Sequence, residues 1–344
     1  MFGCSNGVID LRTGEFRPGL RQDMMTMRTE VPWIATASYA RWETFLSDVF
    51  PDRPDMLRYL QRAIGYSLTG LTREECFWIL YGSGRNGKGV FLRILAAVLG
   101  GYGNTCEFST LVADRDRGRS PRNDIAALAG KRFVSAQEAR EGCQSDEALI
   151  KSLTGGDLIT ARFLHQEFFT FRPTWKIWLA VNHRPEIRGI DTGIWSRPRL
   201  VPFTVSFEGR ENRKLKEELL EPIELAGVLR WAVAGCQQYL EHGLDEPDEV
   251  IAATNEYRAE SDVIGRFIEE CCVTGQFSHV KARDLHHAFG RWAEASGEKS
   301  LTETAFGRRM IERGIERQHT ISGKKYLNIA LRTAANNSMT GHEN

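Results

Sequence analysis

The run Gly82-Ser83-Gly84-Arg85-Asn86-Gly87-Lys88 lies between two apolar stretches. Before it comes Cys76-Phe77-Trp78-Ile79-Leu80-Tyr81, and after it Val90-Phe91-Leu92-Arg93-Ile94-Leu95-Ala96-Ala97-Val98-Leu99, whose apolar residues recur at helical spacing. Strand, glycine-rich loop and helix form the context of a phosphate-binding loop. The glycines let the backbone turn tightly and aim several N–H groups at one anion. The helix N-terminus adds partial positive charge, and Lys88 a full one. The expected ligand is a nucleoside triphosphate, cradled by Gly82, Ser83, Gly84, Arg85, Asn86, Gly87, Lys88, Gly89 and Val90. One position departs from the pattern: Gly89 stands where Ser or Thr would offer a hydroxyl to Mg²⁺. Taken alone, the motif could also be a glycine-rich turn with an exposed lysine.

Organisation around the loop favours an α/β domain. Candidate strands at 76–81, 132–136, 158–163, 168–171 and 176–181 alternate with helical patterns, which implies a mainly parallel sheet. The chain divides into an N-terminal hairpin and helical region (1–75), a phosphate-loop core (76–207), a helical connector (208–260), a smaller unit (261–332) and a polar tail expected to be disordered (333–344). Gly7-Val8-Ile9-Asp10-Leu11 and Arg12-Thr13-Gly14-Glu15 predict a hairpin near the start. Lys+Arg and Asp+Glu both total 45, but the balance is local. Glu208 to Asp262 holds 14 acids and 6 bases, whereas Lys281 to Arg332 holds 11 bases and 6 acids. No apolar run reaches the ~20 residues of a membrane helix, and the N-terminus lacks the basic start and apolar core of a signal peptide. Seven scattered Cys, none in C-x-x-C spacing, predict reduced thiols in a cytoplasmic setting. The cluster Cys271-Cys272, His279, His286-His287 fits no zinc spacing.

An ATPase also needs an acid near the attacking water, a group that senses the γ-phosphate, and positive charge at the transition state. Arg132-Phe133-Val134-Ser135-Ala136-Gln137-Glu138 reads as a strand ending in a carboxylate. Trp175-Lys176-Ile177-Trp178-Leu179-Ala180-Val181-Asn182 reads as a strand ending in an amide. Arg197 and Arg199 precede the apolar Leu200-Val201-Pro202-Phe203. Each has a bland alternative: an exposed strand-end Glu, a turn-forming Asn, a solvated basic turn.

With these residues in view, the chain resembles the helicase region of the phage/plasmid primase–helicase family, within the superfamily 3 helicases. The resemblance spans about Gly7 to Arg332. It rests on Gly84-Arg85-Asn86-Gly87-Lys88, on Lys151-Ser152-Leu153-Thr154-Gly155-Gly156-Asp157 with Thr160-Ala161-Arg162, on Val181-Asn182-His183-Arg184-Pro185, and on Trp195-Ser196-Arg197 with Val201-Pro202-Phe203. It implies a three-layer, modified AAA+-like core in which six identical subunits encircle DNA and ATP sits between neighbours. On that basis Lys88 contacts the β/γ-phosphates, Glu138 polarises water and helps hold Mg²⁺, Asn182 is the sensor amide, and Arg197 reaches into the adjacent subunit's site. Arg199 fits the pattern less closely. Residues 151–171 supply a hairpin facing the channel, with Lys151, Arg162 and His165 as candidate DNA contacts. Relatives commonly carry a primase domain before the Gly7 region. No primase motif is found here, which leaves two alternatives, a truncated reading frame or a helicase that relies on a separate primase; no primase activity is expected of this chain. The resemblance places the protein in a bacterial cell, encoded by a phage or plasmid.

In the C-terminal unit, 262–272, 281–295 and 302–313 read as helices, and 315–321 and 326–331 as strands around Ser322-Gly323-Lys324-Lys325. That is the outline of a winged-helix domain. Arg308, Arg309 and Arg313 on the third helix, with Lys324 and Lys325 at the turn, make an electrostatic footprint for a DNA backbone. The leading expectation is an ATP-dependent DNA helicase. The rivals are an ATP-switched DNA-binding initiation protein without processive unwinding, favoured by Gly89, and an inactive remnant of a primase–helicase.

Overall fold

The computed structural model describes residues 1–111, 123–137, 144–321 and 323–332. Glu138, Ser322 and the tail from Thr333 lie outside the described residues. The chain forms two compact units, Met1–Asn255 and Glu256–Asn344.

The first unit opens with a three-stranded antiparallel sheet, β1 (Phe2–Cys4), β2 (Gly7–Ile9) and β3 (Phe16–Arg17). The predicted hairpin is the β2–β3 pair, joined by β1. Helices α1 (Ala40–Val49) and α2 (Pro54–Ser67) follow. The core then runs β4 (Phe77–Tyr81), α3 (Lys88–Leu99), β5 (Gly103–Glu107), α4 (Asn123–Ala126), β6 (Phe133–Gln137), α5 (Glu147–Thr154), β7 (Ile159–Ala161), β8 (Phe169–Phe171), β9 (Lys176–Val181), α6 (Thr192–Trp195) and β10 (Pro198–Pro202). After it come α7 (Leu215–Leu219), α8 (Pro222–His242) and α9 (Asp248–Ser261).

Five strands form one wholly parallel sheet in the order β10-β4-β9-β6-β5. Two were not foreseen. β5 is polar, and β10 begins and ends in proline. Both are edge strands, where one side of the backbone needs no partner and proline is tolerated. The strands expected at 158–163 and 168–171 exist as β7 and β8, but they pair only with each other, antiparallel. They stand apart from the parallel sheet.

β4 and β9 are buried along most of their length, as unbroken apolar runs in a covered parallel sheet should be. Trp78 and Trp178 face each other across them, stacked at 4.4 Å. Their indole N–H groups donate to Tyr59 Oη (2.9 Å) and Ser67 Oγ (3.1 Å), so neither buried donor is orphaned. At the start of β9 the fully buried Lys176 donates to the carbonyls of Thr69, Leu71 (3.2 Å) and Thr174 (3.0 Å). Burial pushes its pKa well down. Helices α2 and α8 meet through glycine: a Cβ at Gly65 would lie 2.0 Å from Cys236 N, and one at Gly235 2.0 Å from Gln61 O. Among the described residues no helix is long and apolar enough to cross a membrane.

The second unit contains α10 (Val263–Cys271), β11 (Cys272–Lys281), α11 (Ala282–Ala295), α12 (Glu303–Glu312), β12 (Arg317–Thr320) and β13 (Gly323–Leu331). The strands form an antiparallel sheet in the order β11-β13-β12. Phe267, Phe289, Phe306, Met310, Tyr326 and Ile329 fill its core. The three expected helices are present, but β11 between the first two was missed. Its pairing breaks between Thr274 and His279, which interrupts the alternation that would mark a strand. A further correction concerns Lys324 and Lys325: they lie within β13 rather than in the turn.

Candidate nucleotide site and nucleic-acid-facing residues

The loop after β4 enters α3 through Gly87, whose φ of 89° is left-handed, as is Gly84's at 103°. Side chains with a Cβ are disfavoured at both. Added Cβ atoms at Gly84 and Gly89 would meet nothing within 4 Å, so the loop backbone is open on that side. Asn86 braces it from beneath by donating to Phe203 O (3.1 Å). Arg85 O accepts from Phe207 N (2.8 Å), and the Arg85 guanidinium pairs with Glu208 (3.1 Å) and Glu211 (3.2 Å).

Lys88 is only 6% exposed. Its ammonium donates to Gly82 O (2.7 Å), Asn86 Oδ1 (3.0 Å) and Asn182 Oδ1 (3.2 Å). The structure therefore brings two of the expected residues together. The sheet order explains why: β9 adjoins β4, so the residue after Val181 comes out beside the residues after Tyr81. Glu138, which follows β6 on the far side of β9, lies outside the described residues. Burial among neutral acceptors lowers the Lys88 pKa to about 8. A polyphosphate binds the ammonium form, and its charge would raise that pKa again. ATP affinity should then be flat below about pH 8 and fall about tenfold per unit above it. Titrating a fluorescent ATP analogue from neutral to alkaline pH checks this; a flat profile would show that Lys88 does not carry the binding.

A cavity of about 480 Å³ opens beside the loop, a size suited to a small ligand. Gly87 and Val90 line it with Thr44, Phe45 and Asp48 of α1 and with Phe207 and Asn212 from the segment after β10. Sequence reading missed all but the loop residues, because the walls come from opposite ends of the unit. Phe45 is one of the apolar residues of α1, which by themselves equally describe core. Nothing at Gly89 can ligate a metal, and among the described residues no cluster of three His, Cys, Asp or Glu could hold one.

Arg197 is at the opposite, N-terminal end of the strands. It immediately precedes β10, and its carbonyl accepts from Phe77 N (2.9 Å) at the start of β4. The five-residue length of β4 separates it from the loop by about 16 Å. Lys88 and Arg197 of one chain therefore do not share a site. The Arg197 side chain, 12% exposed, donates to Thr154 Oγ1 (3.0 Å) and Gly193 O and pairs with Glu75 (3.1 Å). Arg199 pairs with Glu246 and is largely covered. Lys151 pairs with Asp191 (2.8 Å), and the ammonium holds that carboxyl below its ordinary pKa. Glu147 accepts from the backbone N–H groups of Arg188 and Gly189, each at 2.7 Å. Glu147, Lys151 and Thr154 thus fasten one face of α5 to the stretch 188–197.

The β7–β8 hairpin ends in a turn where Gln166 N donates to Phe163 O (3.0 Å) and His165, exposed, has a φ of 62°. Leu164 N donates to Asn123 Oδ1 (2.9 Å), which anchors the tip. Arg162 lies over the Phe168 ring, 4.5 Å from its centroid.

In the second unit the basic residues divide. Arg308 is 73% exposed, with only a loose pair to Glu312 at 3.7 Å. Arg309 lies on the same helix, and Lys324 is exposed on β13. Lys325 is half-buried. Arg313 is 21% exposed and pairs with Asp262, the N-cap of α10, so it ties α12 to α10 rather than facing solvent. Arg313→Ala should cost about 2 kcal/mol of stability. Arg308→Ala with Lys324→Ala should leave stability within about 0.5 kcal/mol but flatten the salt dependence of DNA binding by about two phosphate contacts. Thermal melts and salt-titrated DNA binding separate the two sets; an unmoved salt slope would leave this unit a packing module.

Comparison with known proteins follows this geometry. Three family models match in succession: "D5 N terminal like" over residues 1–51, "Family of unknown function (DUF5906)" over 80–197, and "Poxvirus D5 protein-like" over 259–326. The chain is a relative of the D5-type primase–helicases. It is 28% identical over 318 residues to the protein named "Putative helicase L207/L206" of Acanthamoeba polyphaga mimivirus, covering 86% of this chain and 33% of that one. It is 22% identical over 324 residues to "Putative primase C962R" of African swine fever virus, again covering 86% and 33%. The chain thus spans about a third of the length of these D5-type relatives. The C-terminal region of NrS-1 aligns over 88% of this chain and 77% of its own length, at 12% identity and a TM-score of 0.48. The mimivirus and African swine fever virus proteins are those of eukaryotic viruses, so they lend no support to the phage or plasmid setting or the bacterial cell expected earlier.

Proposed function

We propose that this chain is the motor portion of a DNA-replication helicase, an ATPase that draws one DNA strand through a ring of identical subunits. The observation that carries the reading is the placement of Lys88 and Asn182 at the C-terminal ends of the parallel strands, with Arg197 at the N-terminal end of β10. A single chain offers half of a hydrolytic site at each end of the strands, which suits a site completed by a second copy. The names of the D5-type relatives support the replicative role.

In this reading the open glycine backbone and Lys88 hold the phosphates, and the cavity between α1 and the segment after β10 takes the nucleoside. Asn182 orients the γ-phosphate or the attacking water. Arg197 of the adjoining subunit stabilises charge as it develops on the transferred phosphoryl group. Mg²⁺ would arrive with ATP and screen its phosphates, with Glu138 as the proposed protein acid. The winged-helix reading of the second unit makes it a duplex-backbone contact, through Arg308, Arg309, Lys324 and Lys325. The test is unwinding of a forked duplex with ATP and Mg²⁺, against Lys88→Ala as control. ATP-dependent strand separation that the variant lacks is the expected result; its absence in the unaltered protein would refute the motor.

Gly89 favours a second reading, an ATP-dependent switch that binds DNA without processive unwinding. Steady-state ATPase assays decide: stimulation by single-stranded DNA fits the motor, and a slow rate indifferent to DNA fits the switch. The open space at Gly89 yields a further expectation. A serine there needs no backbone change and adds a hydroxyl in the first turn of α3. Gly89→Ser should lower the Mg²⁺ concentration for half-maximal nucleotide binding by about tenfold, the effect of one added ligand worth ~1.4 kcal/mol. An unchanged Mg²⁺ titration would place the ion away from α3.

A further inference from the structure

Residues alternate across the β7–β8 hairpin, so it has two faces. On one, Phe163, Phe169 and Phe171 stack in series, and Phe171 meets Trp175 edge-on at 5.8 Å. With Ile159 and Ala161 buried, this face secures the hairpin to the unit. The other face is formed by Leu158, Thr160 and Arg162 from β7 and its flanks, and Phe168, Thr170 and Arg172 from β8 and its flanks. Its centre is a hydroxyl pair, Thr160 with Thr170 at 3.0 Å. Toward the tip Arg162 stacks on Phe168, and Phe168 remains 61% exposed. Leu158, toward the base, is 64% exposed. Arg162 Nε is shielded from solvent and has no acceptor among the described residues.

This face holds planar groups, cations and hydroxyls in alternation, with Asp157 and Glu167 the only carboxylates between Asp157 and Arg172. Leu158, Leu164 and Phe168 are each more than half exposed on this one hairpin, and apolar side chains gathered in that way mark a surface that a partner covers. A single strand of nucleic acid supplies the matching chemistry: bases with free π-faces, and phosphates that accept from guanidinium groups and hydroxyls. We propose that the hairpin grips single-stranded DNA by its bases. Phe168, backed by Arg162, is the stacking platform; Arg162, Arg172 and the Thr160–Thr170 pair attend the adjoining phosphates. The inference rests on the DNA-motor reading and deepens it. The sequence directed attention only to charged contacts, whereas the exposed ring makes stacking the larger share of the hold.

The test compares two probes on the full chain by fluorescence anisotropy: a thymidine oligonucleotide, and the same backbone with abasic residues. The unaltered protein should bind the thymidine strand about tenfold tighter, as one stacked base provides. Phe168→Ala should erase that preference without changing the salt slope, since a ring releases no counterions. Phe168→Trp should keep it. Because Phe168 is exposed, the alanine variant leaves the core intact. A preference that survives Phe168→Ala, or none in the unaltered protein, overturns the proposal and spares the motor. Failure of both probes to bind the unaltered protein overturns both. If Phe168→Ala shifts the sedimentation of the protein while the preference stays, the face is a contact between copies and the proposal falls.

Discussion

Arg197→Ala should reduce ATP turnover by roughly 10³- to 10⁵-fold while leaving the dissociation constant for ATP within about twofold. The expectation follows from where the side chain stands. It is about 16 Å along β4 from the phosphate loop of its own chain, too far to touch ATP bound there. On the proposed reading, loss of Arg197 would remove charge stabilisation from a neighbour's site and spare its own cradle. A mixing experiment makes the point sharper. Protomers with Arg197→Ala keep an intact Lys88, and protomers with Lys88→Ala keep an intact Arg197. Combined, the two inactive proteins should recover activity at those interfaces where the two intact halves meet. No recovery on mixing would mean that both residues serve one chain, or that Arg197 serves structure alone. The contacts to Thr154, Gly193 and Glu75 give it a structural part as well, so a thermal melt belongs beside the kinetics.

Lys88→Ala should raise the ATP dissociation constant by about 100-fold, as expected when a charge-assisted contact of ~3 kcal/mol is lost. The change takes this donor from two buried acceptors, Gly82 O and Asn86 Oδ1, so a thermal melt belongs beside the titration. Asn182 is exposed and can turn to water, and Asn86 retains its bond to Phe203. The fold should hold while binding fails. Lys88→Arg should not rescue, since a planar fork does not fit where one compact ammonium meets three acceptors. Isothermal titration with ATP reads both variants; unaltered affinity in Lys88→Ala would return the glycine loop to a plain turn.

Much of the core was legible because apolar runs and glycines are local signals. Cys76–Tyr81, the loop and the helix after it could be read directly, as could the apolar β9 ending beside Asn182. Edge strands were not: β5 is polar and β10 is framed by prolines, because an edge is held on one side only. β11 was hidden by the break between Thr274 and His279. The cavity walls were illegible for another reason. Thr44 and Asn212 are far apart in the chain and carry no pattern; only the fold brings them together. Charged residues misled in a consistent way. Lys151, Arg197, Arg199 and Arg313 look like free cations in sequence, yet each meets a carboxylate in the folded chain.

Helix α5 is fastened at Glu147, Lys151 and Thr154 to the stretch that ends in Arg197, and it ends at Thr154, from which two glycines lead into β7. On the motor reading, Thr154 would be the joint between Arg197 and the hairpin in an assembled ring. If one subunit's guanidinium followed the departing phosphate of its neighbour, the pull would pass through Thr154 and the two glycines to the finger of strands just beyond them. Chemistry at one seam would then be felt as a stroke on the threaded polymer, with no need for the rest of the subunit to rearrange.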